Sequence, residues 1–199
     1  MSHSLFSFSC MVISSCIASS TFAQQYNHVH LDVLGYSKFH QHVYIQESLV
    51  HSNSKMRVYA YDLKKVRYDF PKHEETTAQA QNAIEFEQRL NTLKKDLHAL
   101  KEIDINSFKI DILQQDKNER AQSEIPFNFS YSTQFIISNA QFQTHVQNLY
   151  HLSPDIQLTH AYILPEHKGI LATFKSLAYA EGSGLYREES VILLPKQVN

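Results

Sequence analysis

Phe127-Asn128-Phe129-Ser130-Tyr131-Ser132-Thr133-Gln134-Phe135-Ile136-Ile137 is the longest strict alternation in the chain. Phe127, Phe129, Tyr131, Thr133, Phe135 and Ile137 share one parity, and in a strand equal parity means one face of the pleat. The segment therefore predicts a β-strand with one aromatic face, and a face of that composition belongs to a core. Its neighbours in the chain are read against it. Upstream, Ile105 to Leu113 alternates with Phe108, Ile110 and Ile112 in phase, a second strand. Between the two, Gln114 to Glu124 is charged and polar without a break and predicts a solvated hairpin tip or loop. Downstream, Ser138-Asn139 starts a short predicted helix whose core face is Phe142, Val146 and Leu149, stopped by Ser153-Pro154. Ile156 to Ile163 reads as a strand. Pro165 opens a further helix with Ile170, Leu171, Phe174, Leu177 and Ala178 on its apolar side. Gly182-Ser183-Gly184 ends it, because glycine tolerates the positive φ of a helix stop. Val191 to Leu194 is a last strand, closed by Pro195.

The amino-terminal half adds three strands and the strongest helix. From His28, Val29, Leu31 and Val33 alternate with His28, His30 and Asp32, a half-buried strand that ends at Gly35. His42 to Leu49 and Met56 to Leu63 follow the same rule, with turn residues His51-Ser52-Asn53-Ser54 between them. Ala83, Phe86, Leu90, Leu93, Leu97 and Leu100 recur at steps of three and four, one stripe of a helix predicted over 75–100. Thr76-Thr77-Ala78-Gln79 supplies a capping box at its start. After residue 56 the predicted order is β-α-β-β-α-β-α-β. The fold class is accordingly α+β: a mainly antiparallel sheet with helices packed on one face, in a single domain over 28–195.

Residues 1–23 contain no Lys, Arg, Asp or Glu. An apolar run from Leu5 to Ile13 leads to the small residues before Ala23, the form of a signal peptide cleaved after Ala23. The run is too short and too serine-rich to span a bilayer core of about 30 Å. The expected location is periplasmic or secreted. Ile13-Ser14-Ser15-Cys16 also resembles a lipobox, in which acylated Cys16 would anchor the chain to lipid. Both cysteines, Cys10 and Cys16, precede Ala23, so a chain cut there has neither disulfide nor thiolate chemistry. The roughly 175 residues that follow suffice for one core, since a domain of that size buries roughly 70% of its unfolded surface. Net charge is -2, without the basic stripe that nucleic acid demands.

Glu74 to Gln81 leading into Leu90, Leu93 and Leu97, the strand Ile103 to Phe108, and Tyr131 to Ile137 with the helix after it together resemble the SIMPL domain family. Bacterial members are mostly exported proteins of unknown function, some described as oxidative-stress defence or periplasmic immunogenic proteins. The resemblance departs at the family's opening V-x-G-x-G, of which Val33-Leu34-Gly35 keeps one glycine, and no Pro-Asp follows. It implies a non-enzymatic envelope protein linked to stress tolerance, with self-assembly in some relatives, and it carries no catalytic residue and no cofactor.

Histidine is abundant, at 12 residues. In His28-Val29-His30 and His40-Gln41-His42 the imidazoles stand two apart, so each pair shares a strand face and could offer two nitrogens to Zn²⁺ or Cu²⁺. His28, His30, His40 and His42 are the candidate metal residues, and Asp32 shares the face of the first pair. A solvent-facing strand accounts for the same pattern without a metal. Catalytic motifs are absent: G-x-S-x-G and H-E-x-x-H do not occur, and four glycines in the whole chain build no phosphate loop. The expectation is a protein that is not an enzyme, with metal or ligand binding through the histidine pairs as the alternative to an assembling envelope protein.

Overall fold

The structure is a computed structural model that describes residues 29–49, 57–65, 73–75, 83–119, 129–177 and 186–196. These form twelve strands and one α-helix: β1 Val29–Ser37, β2 His42–Leu49, β3 Arg57–Asp62, β4 His73–Glu75, α1 Ala83–Lys95, β5 Lys101–Glu102, β6 Lys109–Glu119, β7 Phe129–Ser138, β8 Phe142–Gln143, β9 Gln147–His151, β10 Ile156–Ile163, β11 Ile170–Leu177 and β12 Tyr186–Pro195.

The main sheet runs β4-β3-β2-β1-β12-β11-β10-β5. Every pair in it is antiparallel except β1–β12, which is parallel with Val29 opposite Arg187. Past β5 the sheet curls back on itself. The Tyr36 amide donates to the His98 carbonyl at 2.8 Å and the His98 amide returns to the Tyr36 carbonyl at 2.9 Å, which joins the far edge to β1. That close approach requires glycine beside it. Gly35 has φ +133°, and a Cβ there would stand 2.6 Å from the His98 carbonyl oxygen. A second sheet, β6-β7-β9 with β8 bridging β7 to the end of β12, covers part of the outside.

Three cores follow from this curl. Leu31, Tyr36, Val43, Ile45, Tyr61, Leu171 and Ile192 fill its inside. On the outside of β2 and β3, Tyr44, Val58 and Ala60 pack against Phe86 and Leu90 of α1. On the outside of β10 to β12, Ala161, Ile170, Ala172, Phe174, Val191 and Leu193 pack against Phe135, Ile137 and Leu149 of the second sheet. From Phe129 to Ile137 the aromatic alternation is β7, with Phe135 and Ile137 fully buried, while Phe127 lies outside the described residues.

The α+β expectation is overturned. The predicted helix over Phe142, Val146 and Leu149 is two short strands, β8 and β9, and of the helix predicted from Pro165 only a single 3-10 turn, Pro165–His167, forms before β11 begins at Ile170. The reason lies in β11's position. It is sandwiched between two cores, with Leu171 facing inside and Ile170, Ala172 and Phe174 facing out. A strand buried on both faces loses its period of two. Its residues Ile170, Leu171, Phe174 and Leu177 then stand at i, i+1, i+4 and i+7, which is also a helical stripe. The β-α-β-β-α-β-α-β order falls with these helices. The long helix is real over Ala83–Lys95, while His98 and Lys101–Glu102 are already in sheet pairing. Gln114 to Glu119, read as a tip, continues β6. The capping box at Thr76–Gln79, the turn at 51–54 and the Gly182–Gly184 stop lie outside the described residues.

Candidate functional site

The β1–β2 turn and the end of α1 enclose an open cleft of about 490 Å³ lined by Ser37, Lys38, Phe39, His40, Leu93, Lys95, Asp96, Leu97 and His98. The turn is held by Gln41, which takes φ 59° while its amide bonds to the Ser37 carbonyl at 2.9 Å. This presents Phe39 at the tip, 88% exposed, with its ring edge-on to His40 at 4.9 Å. Leu93 and Leu97 form an apolar floor continuous with the core beneath α1. The lining also includes two lysines, one aspartate and two histidines. The cleft thus combines apolar and polar lining, and its volume falls in the range of small-molecule pockets.

The predicted histidines are divided. His28 lies outside the described residues. His30 on β1 pairs with Asp32 at 3.3 Å and with Glu188 of β12 at 2.9 Å. His40 and His42 have ring centres 6.1 Å apart, and His42 approaches Asp62 at 3.9 Å. His30 stands opposite Ser48 while His42 stands opposite Ser37, so His30 and His42 occupy opposite ends of the hairpin. That is roughly 20 Å at about 3.3 Å per residue, too far for one ion. Among the described residues no group of three or more His, Cys, Asp or Glu is arranged to hold a metal.

Other polar clusters were not legible. Glu102 accepts from or pairs with His160 Nδ1 at 2.7 Å across β5 and β10. Nearby, burial first, then the charges of Glu102 and Asp32, push the Tyr162 phenol up from its ordinary value. On β7, Thr133 Oγ1 lies 2.7 Å from His151 Nε2 of β9, the spacing of a nucleophile and its base. Both are sealed: Thr133 is 0% and His151 3% exposed, so no substrate reaches the hydroxyl. Burial holds the His151 pKa below the usual imidazole range, opposed by the Ser153 backbone and the Asp155 charge. One signal for this pair was present in the sequence, since Thr133 is the single aliphatic hydroxyl on the aromatic face of its strand. His98 and Asp96 carried no such signal; they sit just past the last turn of α1, where the chain departs toward β1.

Among the described residues no helix is long and apolar enough to cross a membrane. Comparison with protein-family models, curated proteins and solved structures finds no match to this chain, and none of them identifies a SIMPL domain.

Proposed function

We propose that the protein is an exported, non-enzymatic binding module whose ligand is a small acidic molecule with an apolar part, held in the cleft between the β1–β2 turn and the end of α1. Export rests on the uncharged, apolar leader of residues 1–23. The observation that carries the binding reading is the composition of the cleft. Leu93, Leu97 and Phe39 offer apolar contact, and Lys38 and Lys95 outnumber the one acidic residue, Asp96. An acid would set its charge among the ammonium groups and its apolar body on the leucine floor. A fully exposed phenylalanine beside such a cleft gains area when a ligand covers it.

The test uses 1-anilinonaphthalene-8-sulfonate, an aromatic anion whose fluorescence rises on burial, with octanoate as competitor. The full chain is expected to bind it saturably and to release it to octanoate. Phe39→Ser and Lys95→Glu, both at exposed positions, are each expected to weaken binding about tenfold, equivalent to about 1.4 kcal/mol. Non-saturable fluorescence, or wild-type affinity in both variants, overturns the reading. Titration with Zn²⁺ in parallel distinguishes a metal site, which would give heat that Lys95→Glu leaves intact.

A further inference from the structure

Among the described side chains His151 is the one buried imidazole. Its Nε2 meets Thr133 Oγ1 at 2.7 Å. That hydroxyl also receives Gln115 Nε2 at 3.0 Å, and the same amide group reaches the Pro154 carbonyl at 3.1 Å. One polar cluster thus ties β6, β7, β9 and the corner at 152–155. The corner is further tied to β11, where the Leu152 amide donates to the Leu177 carbonyl at 3.1 Å. The cluster is complete on one side of the ring only. His151 Nδ1 is buried without a hydrogen-bond partner; the Ser153 backbone flanks it but closes no bond.

We propose that His151 is an acid-operated latch: protonation of its ring releases β9 and the 152–155 corner from β7, and the freed imidazolium turns to Asp155. A neutral imidazole needs one donor and one acceptor contact, and the Thr133 hydroxyl can serve in either sense. An imidazolium must donate from both nitrogens while buried, and the Ser153 backbone beside Nδ1 favours the charge without closing a hydrogen bond. Opening is the available relief because β9 pairs with β7 alone, leaving its other edge unpaired among the described strands.

Asp155, on the exposed corner, favours the charged ring. β7 presents Tyr131, its ring centre 5.9 Å from that of His151. β6 presents Lys117 opposite Tyr131, its ammonium over the Phe129 ring at 3.5 Å. On the facing sheet β10 presents Ile156 and Leu158, β11 presents Phe174 and Ser176 with Lys175 on the opposite face, and β12 carries Arg187 and Glu189 paired at 3.0 Å. Burial lowers the His151 pKa in the closed state, and release to solvent restores it toward about 6.5. Between those two values the open form binds more protons, so acid favours opening.

Amide hydrogen exchange of the full chain, corrected for intrinsic rates, tests this from pH 7.5 to 4.5. The open fraction of β9 is expected to rise by up to about tenfold per pH unit below about 6.5, while amides of β11 and β12 stay flat. His151→Gln is expected to abolish that slope. Protection of β9 that does not change with pH in the wild type, or an unchanged slope in His151→Gln, overturns the latch.

Discussion

Glu188 does the work of a missing backbone acceptor. β1 and β12 are parallel partners at one register position, Val29 opposite Arg187. Two residues on, the Leu31 amide donates to Glu188 Oε2 at 2.9 Å, and the same oxygen takes His30 Nδ1 at 2.9 Å. The carboxylate therefore stands in for a ladder carbonyl where the two strands have already separated. Leu31 is buried, so Glu188→Ala strands its N–H without water. The expected loss is about 1–3 kcal/mol, read as a lower urea midpoint with unchanged slope. His30 and Asp32 on one face were legible from alternation; Glu188 was not, because it lies 157 positions away and parity within a strand says nothing about which distant strand lies alongside.

Among the elements, α1 and β11 show what periodicity can and cannot separate. α1 is apolar on one stripe and polar elsewhere, the pattern of a helix with one covered face. Its exposed side is stitched by the Arg89–Glu85 ion pair at i,i+4. Leu90 is 2% exposed and packs with Phe86 on Tyr44, Val58 and Ala60. Leu90→Ala is expected to lower unfolding free energy by about 2–5 kcal/mol through the cavity left under the helix, measured by chemical denaturation. β11 has no exposed polar face to betray it, since Thr173 and Ser176 are buried and Lys175 is half-buried. Its register against β12 runs unbroken from Ile170–Leu193 to Leu177–Tyr186, yet its apolar spacing mimics a helix. β10 shows the intermediate case. Its bulge between Leu158 and His160 shifts parity once, and enough alternation survives on either side for the strand to be read correctly over Ile156–Ile163.

Across the whole molecule, the curl brings non-neighbouring strands into contact through its interior. Tyr61 on β3 donates to the Ser190 carbonyl of β12 at 3.2 Å and shares a 2.9 Å hydrogen bond with the Ser190 hydroxyl, although two strands separate β3 from β12 in the sheet. Burial pushes the Tyr61 phenol above its ordinary 10.0, opposed by the Ser190 bond and aided by the Glu189 charge. A folded-state pKa raised above the unfolded value stabilises the fold below about pH 10, and that stability is lost as pH rises through and beyond it. Tyr61→Phe is expected to cost about 1 kcal/mol at neutral pH. The gap between it and the wild type should then narrow above about pH 10, because the variant has no phenol to ionise there. Urea unfolding of both proteins from pH 7 to 11 measures this; a constant gap would show that the phenol does not sense the interior.

Taken alone, the order of residues established what depends on near neighbours: the strands β1, β2, β3, β7 and β10, parts of β6 and β12, and the helix stripe of α1. Those follow from parity and helical spacing, which act within about ten residues. Long-range packing decided the rest. Whether an apolar run is a helix or a doubly buried strand depends on how many layers cover it. Which polar groups meet, Glu188 with His30 and Thr133 with His151, depends on how the sheet curls and closes. That closure runs through the Tyr36–His98 pair and the glycine beside it, a contact between residues 62 positions apart that neither spacing nor composition encodes locally.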